Sequence, residues 1–191
     1  MVFDYDPETK QQSEEWHTKS SPHPKKACMS RSRVKTMIIF FFDSRGTVHK
    51  EFVPPGHTVN HIFYKDVLKR LRKQVQQVRT DIADDWVPHH DNAPAHTVLS
   101  IPEFLAKENI PVLPHPPYSP DLAPCDFYLF PKLKSKVKVH HFGTMENIQK
   151  NITDELHTLM ENDFRYLYDQ WKKRWNHSVT SQGSYFEGDN L

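Results

Sequence analysis

The chain has 191 residues and a formal net charge of +1 at pH 7, so it is long enough for one domain, but its overall charge identifies no partner. Only 37% of the residues are hydrophobic, but 12% are aromatic and several segments are regularly patterned, which excludes a globally disordered chain. Cys28 and Cys125 lack the spacing of a zinc finger or a disulfide framework. No apolar run is long enough to span a membrane, and the amino terminus does not resemble a signal peptide. We therefore expect a soluble intracellular protein.

The amino-terminal segment predicts the end of a strand followed by an irregular arm. Val2-Phe3-Asp4-Tyr5 is typical of a strand that stops at Asp6-Pro7. Residues 8–35 are polar, rich in Ser, Lys and Pro, and show no period. This composition predicts an exposed loop or an irregular hairpin arm.

A β-hairpin is predicted next. The run from Val34 to Asp43 is rich in β-branched and aromatic residues, and Ser44-Arg45-Gly46 is a turn sequence. Thr47 to Val53 alternates imperfectly between apolar and polar residues. The pattern indicates an antiparallel pair whose first strand is central and whose second is nearer an edge.

The middle of the chain alternates helical and strand patterns. A helix is predicted to begin near Asn60, a good N-cap residue, and a second helix to span Thr97 to Asn109. Short strands are predicted at Trp86 to Asp91 and at Ile110 to Leu113. The residues expected to face inward are Phe63, Val67, Leu71, Val75 and Val78 in the first helix, and Leu99, Phe104 and Leu105 in the second.

The last part of the chain is predicted to be helical after an extended, proline-rich segment from Pro114 to Pro124. One helix follows Asp126, and two more form the last quarter of the sequence. The order of β, β, β, α, β, α, β, α, with helices appended, predicts a mixed sheet with helices packed against it. The inward stripes of the three helices are Leu129, Leu133 and Val137, then Ile148, Ile152 and Leu156, and finally Phe164, Leu167, Trp171 and Trp175.

Two motifs place a carboxylate after a short apolar segment. His89-His90-Asp91-Asn92-Ala93-Pro94-Ala95-His96 ends a predicted strand, and Tyr118-Ser119-Pro120-Asp121-Leu122-Ala123-Pro124-Cys125-Asp126 begins a predicted helix. Hard cations such as Mg²⁺ take oxygen ligands, and a two-metal phosphodiester site needs carboxylates that converge from separate elements. The residues alone leave a second interpretation open, in which Asp91 forms an Asx-turn before Pro94 and Asp126 caps the following helix.

Both motifs resemble the second and third catalytic blocks of the mariner (Tc1/mariner) transposases, which belong to the RNase H-like integrase superfamily. The separation of Asp91 and Asp126 is the one found in that family, whereas Asp121 does not have it. The resemblance runs through nearly the whole chain, including Trp171-Lys172-Lys173-Arg174-Trp175 and Gly183-Ser184-Tyr185-Phe186. It extends to the mariner part of proteins that fuse this domain to a SET-domain methyltransferase. Nothing here resembles a SET domain, so no methyltransferase activity is expected.

The resemblance implies an α/β, RNase H-like mixed sheet of the retroviral-integrase type, flanked by helices. It implies a catalytic core over residues 1–142, with a truncated first strand, and a carboxy-terminal helical extension over residues 143–191. It further implies metal-dependent DNA cleavage and strand transfer, with Asp91 and Asp126 as catalytic residues that bind Mg²⁺ or Mn²⁺ in a two-metal site. The implied partners are transposon ends, target DNA and a second copy of the chain, with action in the nucleus and without a membrane or a small-molecule cofactor.

One departure from the family is specific. The family's first aspartate lies in a Gly-Asp-Glu block before a segment like Val2-Phe3, and neither that block nor the paired helix-turn-helix region is in this sequence. Asp4 and Asp6 are possible substitutes for the missing ligand. We therefore expect this chain to be inactive by itself. Three hypotheses remain: an active transposase whose true start lies upstream, a truncated copy, and a non-catalytic module that binds DNA or protein.

Basic residues and further side chains around the motifs predict supporting roles. Contact with DNA phosphates is one interpretation of two basic stretches, and a solvated surface is the other. His90 and Asn92 are expected to support the aspartates, because a zinc site at His90 and His96 lacks a third ligand. Trp171 and Trp175 fit a core stripe, and Cys125 is expected to be inert. The basic residues are Lys25, Lys26, Arg31, Arg33 and Lys35 in the arm, and Lys132, Lys134, Lys136 and Lys138 with His140 and His141.

Overall fold

The computed structural model describes residues 2–3, 35–137 and 144–181. The arm predicted over residues 8–35 lies almost wholly outside this range, as do Asp4 and Asp6, the two possible substitutes for the missing ligand. The three predicted strands at the start of the chain are present within it. They are β1 (Val2–Phe3), β2 (Lys35–Asp43) and β3 (Gly46–Val53).

The sheet has the order β1-β2-β3, so β2 is central and β3 lies at an edge, as predicted. β1 runs antiparallel to β2, with Val2 opposite Thr36 and Phe3 opposite Lys35. The turn that joins β2 to β3 is closed by the Arg45 N–H, which donates to Asp43 Oδ1 at 2.8 Å. Gly46 follows it with φ of 133°, a conformation that side chains disfavour, which explains the glycine at this position.

Helix α1 spans His61–Val78 and begins as predicted, because the Asn60 side chain accepts a hydrogen bond from the Phe63 N–H at 2.9 Å. The central part of the predicted stripe is buried, but its two ends are not. Phe63 is only partly buried, because it lies at the margin of the apolar face. Val78 is 41% exposed, because it is the last residue of the helix and extends past the packed surface. The buried residues of α1 are Tyr64, Val67, Leu68, Leu71 and Val75.

The helix predicted over residues 97–109 is present but shorter, as α3 (Ser100–Lys107), and a separate short helix, α2 (Pro94–Thr97), precedes it. Val98 has an extended conformation and interrupts them. The prediction that Leu99 faces inward is wrong: it precedes the first turn of α3 and is 70% exposed. Ile101, one turn further in, is fully buried beside Phe104 and Leu105 in its place.

The two short strands predicted at residues 86–91 and 110–113 are reduced to one parallel bridge between His89 and Leu113. The Leu113 N–H donates to the Pro88 carbonyl at 3.0 Å. Pro88 and Pro111 have no N–H to donate, and a regular ladder needs that donor at alternate residues. The extended direction is therefore present, but regular strand pairing is not.

The carboxy-terminal half is helical, as predicted. A π-helical turn at Cys125–Leu129 continues into α4 (Phe130–Val137), and α5 (Met145–His157) and α6 (Glu161–Thr180) follow. No helix in the described part of the chain is long and apolar enough to cross a membrane. The predicted stripes are buried at Leu129, Leu133, Ile148, Ile152, Leu156, Phe164 and Leu167, while Trp171 and Trp175 are partly buried.

The described residues form two compact units. The first lies within Met1–Met37 and Lys132–Thr158, where the Gln149 side chain donates to the buried Thr36 hydroxyl at 3.2 Å. The second lies within Ile38–Pro131 and Leu159–Leu191 and contains the core that α1 and α3 share. Both acidic motifs belong to the second unit. The boundary between residues 142 and 143 stays a prediction.

Candidate active site

Asp91 directly follows the bridged segment and is held in a tight turn. Its Oδ1 accepts the Ala93 N–H at 3.1 Å, which is the predicted Asx-turn before Pro94, and it accepts the ring Nδ1–H of His96 at 2.8 Å. Among the described residues, no hydrogen bond to Oδ2 is found. The turn thus occupies one oxygen, and the other is left to a further ligand.

The charge of Asp91 is stabilised by the same contacts. The pKa of Asp91 is lowered to about 2, mainly by the hydrogen bond from His96. Burial acts in the opposite direction and raises this pKa, whereas the hydrogen bond from the Ala93 N–H lowers it further. The side chain is 56% exposed. Asp91 is therefore an ionised carboxylate that solvent and ions can reach, which is the state a cation requires.

Aromatic rings pack behind Asp91 and fix His96. The His96 ring lies 3.9 Å from the Tyr64 ring and 5.1 Å from the His90 ring, measured between centroids. Tyr64 Oη and His90 Nε2 are buried, with no hydrogen-bond partner in the described part of the chain. Burial raises the pKa of Tyr64 and lowers the pKa of His90, so both rings are neutral near pH 7. His90 thus supports the site by packing and by its Nδ1, which lies 3.1 Å from the Asp91 carbonyl oxygen.

A second histidine pair joins the motif to the neighbouring segment. His89 Nε2 lies 3.0 Å from His115 Nδ1, and the Asn92 amide donates to the His115 carbonyl at 2.8 Å. Burial, followed by the charge of His115, lowers the pKa of His89 to about 4. The hydrogen bond described for Asn92 is made to this segment, so Asn92 orients the loop that carries Asp91.

Asp126 lies in the π turn at the start of the α4 helical run. The Phe130 N–H donates to the Cys125 carbonyl five residues earlier, which widens the turn, and the Asp126 N–H donates to the Ala123 carbonyl at 2.8 Å. Single π turns of this kind are frequent at functional sites. The Asp126 side chain is exposed on the first turn of the helix.

The segment before Asp126 is anchored by α6. Trp171 Nε1 donates to the Leu122 carbonyl at 2.8 Å, and Arg174 Nη1 reaches the Asp121 carbonyl at 3.4 Å. The Arg174 guanidinium also lies 4.3 Å above the Phe127 ring. The apolar spacing of α6 predicted Trp171 as part of a core stripe and gave no role to Arg174. The three-residue spacing of the two, which puts them on one helix face, was the available signal.

Cys125 lies near both aspartates. Burial is the largest cause that raises the pKa of its thiol to about 12, and the charges of Asp126 and Asp91 raise it further. The thiol therefore stays protonated, which explains the inertness expected of it. The Trp171 ring lies 5.0 Å from the His89 ring, measured between centroids, and its indole N–H donates to the Leu122 carbonyl, so the fold brings the two sequence motifs together.

The two aspartates provide the kind of ligand that a hard cation binds, but two carboxylates are few for a metal site. Asp91 and Asp126 offer carboxylate oxygens, the ligands that Mg²⁺ and Mn²⁺ prefer. Within the described ranges, no group of three or more His, Cys, Asp or Glu side chains is arranged to hold a metal ion. The two carboxylates can thus contribute to a metal site, and a two-metal centre needs further oxygen ligands.

The predicted DNA contacts are only partly within the described residues. Lys134 is exposed on α4, Lys132 is partly buried, and the side chain of Lys136 is outside the description. Lys35 is described by its backbone alone. The remaining basic residues of the two stretches, Lys25, Lys26, Arg31, Arg33, Lys138, His140 and His141, lie outside the described residues.

Comparison with known sequences places transposases among the relatives of this chain. A family model described as "Transposase (partial DDE domain)" matches residues 6–84. The chain is 32% identical over 157 residues to the mariner Mos1 transposase of Drosophila mauritiana, which covers 80% of this chain and 45% of that protein. It is 26% identical over 155 residues to the histone-lysine N-methyltransferase SETMAR of Homo sapiens, which covers 80% of this chain and 23% of that protein.

Solved structures agree with this relationship. The Mos1 mariner paired-end complex with Mn matches with a TM-score of 0.84 and 30% identity over 97% of this chain and 54% of that chain. The Mos1 transposase catalytic domain, solved with raltegravir and Mg, matches with a TM-score of 0.75 and 32% identity over 80% of this chain and 77% of that chain. The chain thus spans about half the length of Mos1 transposase, about a quarter of SETMAR, and most of the Mos1 catalytic domain.

Proposed function

This chain belongs to the mariner transposase family and has its RNase H-like fold, and we propose that Asp91 and Asp126 are two metal-binding carboxylates of a DNA-cleaving site. The observation that carries the proposal is that Trp171 contacts both acidic motifs: its indole N–H donates to the Leu122 carbonyl at 2.8 Å, and its ring lies 5.0 Å from the His89 ring. Asp91 supplies the free Oδ2 of an ionised side chain, and Asp126 supplies a carboxylate from the first turn of a helix.

Mg²⁺ or Mn²⁺ bound there would activate a water molecule or a 3′-hydroxyl and stabilise the leaving oxygen of a phosphodiester. The residues of this chain orient the ligands: His96 and the Ala93 N–H fix Asp91, and the π turn directs Asp126 outward. Related proteins have been solved with Mn and with Mg, which supports the choice of cation.

DNA is the proposed substrate, and the Mos1 relative was solved as a paired-end complex. Exposed Lys134, on the helix that follows Asp126, supplies a phosphate contact, with Lys132 nearby on the same helix. Action in the nucleus and assembly of two copies belong to the same proposal. A purely non-catalytic binding module is less favoured, because the matched relatives include a transposase and its DNA complexes.

We further propose that these 191 residues alone do not cleave DNA, because two carboxylates bind two metal ions poorly without a third. A supercoiled plasmid incubated with the purified chain and Mg²⁺ should stay intact. Mg²⁺-dependent nicking that Asp91→Ala abolishes would show that the third ligand is present in this sequence.

Metal binding tests the assignment of the two aspartates directly. Electron paramagnetic resonance should detect bound Mn²⁺ with the unmodified chain, and either Asp91→Asn or Asp126→Asn should reduce it to background. Asp84→Asn, which removes an exposed carboxylate outside both motifs, is the matched control and should bind as the unmodified chain does. Equal Mn²⁺ binding by all four proteins would rule out the proposed ligands.

A further inference from the structure

A pair of histidine rings joins the two segments that carry the acidic motifs. His89 Nε2 lies 3.0 Å from His115 Nδ1, and the ring centroids are 5.0 Å apart. His89 lies two residues before Asp91, and His115 belongs to the proline-rich segment that leads to Asp126. The pair thus offers nitrogen ligands beside a site whose own ligands are carboxylate oxygens.

The backbone brings the two rings together. His89 is bridged in parallel to Leu113. Side chains two positions apart in an extended segment point to the same face, so His115 lies on the side of Leu113 and diagonal to His89. The Asn92 amide donates to the His115 carbonyl at 2.8 Å, and the Trp171 ring packs 5.0 Å from the His89 ring. Both nitrogens are therefore held close together before any ligand binds.

A metal ion can replace the hydrogen bond between the two rings. A neutral imidazole has one N–H and one lone pair, so one of the facing nitrogens donates and the other accepts. An ion between them takes a lone pair from each ring, and the proton of the donating nitrogen moves to the far nitrogen of the same ring. Among the described residues neither far nitrogen, His89 Nδ1 or His115 Nε2, has a hydrogen-bond partner, and both rings are partly exposed. Water can therefore accept from the far nitrogens, and no proton is lost.

The distance between the facing nitrogens selects the kind of ion. With metal–nitrogen bonds of about 2.0–2.1 Å, a gap of 3.0 Å gives an angle of about 94° at the metal. This angle is close to the right angle of square-planar and octahedral sites, and it is smaller than the tetrahedral angle of about 109° that structural Zn²⁺ sites adopt. Imidazole ligands in a tetragonal arrangement are typical of Cu²⁺ and Ni²⁺.

We propose that His89 and His115 form a binding site for Cu²⁺ or Ni²⁺, in which the ion takes one nitrogen from each ring in a tetragonal arrangement. Within residues 2–3, 35–137 and 144–181, no third His, Cys, Asp or Glu side chain is arranged to join them, so water completes the coordination. The bound ion links the segment before Asp91 to the segment before Asp126. The proposal does not rest on the DNA-cleaving function, because its ligands are different side chains.

Calorimetric titration of the full, untagged chain with Ni²⁺ at pH 7.5 is the first test. His89→Gln and His115→Gln should each weaken the tightest site by about tenfold or more, since even an outer partner of a metal ligand contributes about that much. His57→Gln removes an exposed histidine outside the pair and is the matched control, which should bind as the unmodified chain does. Ni²⁺ should also raise the urea midpoint of unfolding of the unmodified chain, but not that of the two pair variants.

A crossed experiment separates this site from the carboxylate site. Asp126→Asn should keep its affinity for Ni²⁺, whatever it does to the binding of Mn²⁺. His115→Gln should lose affinity for Ni²⁺, whether or not Mn²⁺ binds to the carboxylates. A failure of the proposed carboxylate site would therefore leave the Ni²⁺ result unchanged, and the reverse also holds.

Electron paramagnetic resonance of bound Cu²⁺ tests the geometry on the unmodified chain, so it does not depend on the folding of a variant. The spectrum should be axial, with hyperfine splitting from two nitrogens. A spectrum with a single nitrogen would overturn the proposal. Equal Ni²⁺ affinity in the unmodified chain, His89→Gln and His115→Gln would also overturn it, as would a loss of Ni²⁺ binding in Asp126→Asn alone, which would assign the ion to the carboxylates.

Discussion

The two segments that carry the acidic residues are held in place by different chemistry. The Asp91 segment depends on groups that titrate: a carboxylate bonded to His96, and His89 in contact with His115. The Asp126 segment depends on groups that keep their charge state, namely the Trp171 indole on the Leu122 carbonyl and the Arg174 guanidinium above Phe127. Acid should therefore loosen the first segment before the second.

The largest expected effect comes from removing the anchor of the Asp126 segment. Trp171→Ala deletes a partly buried ring and its hydrogen bond, and it should lower the free energy of unfolding by about 3 kcal/mol in urea titrations. The loss should be smaller at pH 5 than at pH 7, because the Trp171 ring packs 5.0 Å from the His89 ring and its removal lets that histidine bind a proton more readily in the folded chain. Tyr166→Ala, an exposed aromatic on the same helix, should cost less than about 1 kcal/mol. An equal loss at both pH values would show that Trp171 does not contribute to the burial of His89.

The next effect concerns His89, whose pKa is lowered to about 4 in the folded chain. The unfolded chain binds a proton at higher pH, near 6.5, so stability is complete above pH 6.5 and falls as the pH drops toward 4. We expect a loss of about 2 kcal/mol from this residue after allowance for its partial exposure. His89→Gln, which cannot titrate, should reduce the dependence of the urea midpoint of unfolding on pH between pH 7 and pH 4.5. An unchanged slope in the variant would show that His89 is not responsible.

A smaller effect is expected from Asp91, whose pKa is lowered from 3.8 to about 2. Its contribution is present above pH 3.8 and is lost as the pH falls through 2. Because the side chain is 56% exposed, solvent screening reduces that contribution to about 1 kcal/mol. Asp91→Asn should remove this part of the acid dependence when unfolding is measured between pH 5 and pH 2.5. Asp84→Asn removes an exposed carboxylate outside both motifs and should leave the dependence of unfolding on pH as it is in the unmodified chain.

The smallest effect is predicted for DNA binding. Lys134→Ala should weaken binding to duplex DNA of any sequence and reduce the slope of log affinity against log salt by about 1, as expected for one phosphate contact. Fluorescence anisotropy at several salt concentrations measures both quantities. Lys107→Ala, at the end of α3, is the control and should keep the slope. If Lys134→Ala does not change the slope of log affinity against log salt, Lys134 does not contact a phosphate, and the interpretation of the basic stretch as a solvated surface is favoured.

Several elements could be predicted because their signals are local. The Asn60 cap, the turn at Ser44-Arg45 and the apolar spacing of α5 each depend on residues within a few positions of one another. The break at Val98 and the reduction of two strands to the His89–Leu113 bridge were not predicted. Both depend on whether a backbone donor finds a partner in another segment, which a pattern of side chains does not report.

Most helix faces, the hairpin and the positions of Asp91 and Asp126 at the ends of elements follow from the order of residues, because periodicity and capping act over one or two turns. The surroundings of the two aspartates depend on packing between distant segments. The contact between Trp171 and the Leu122 carbonyl joins residues 49 positions apart, and a cavity beside Phe40 to Phe42 is lined by segments from four parts of the chain. Such contacts form only when the whole core packs, since their free energy comes from burial that no single segment can provide.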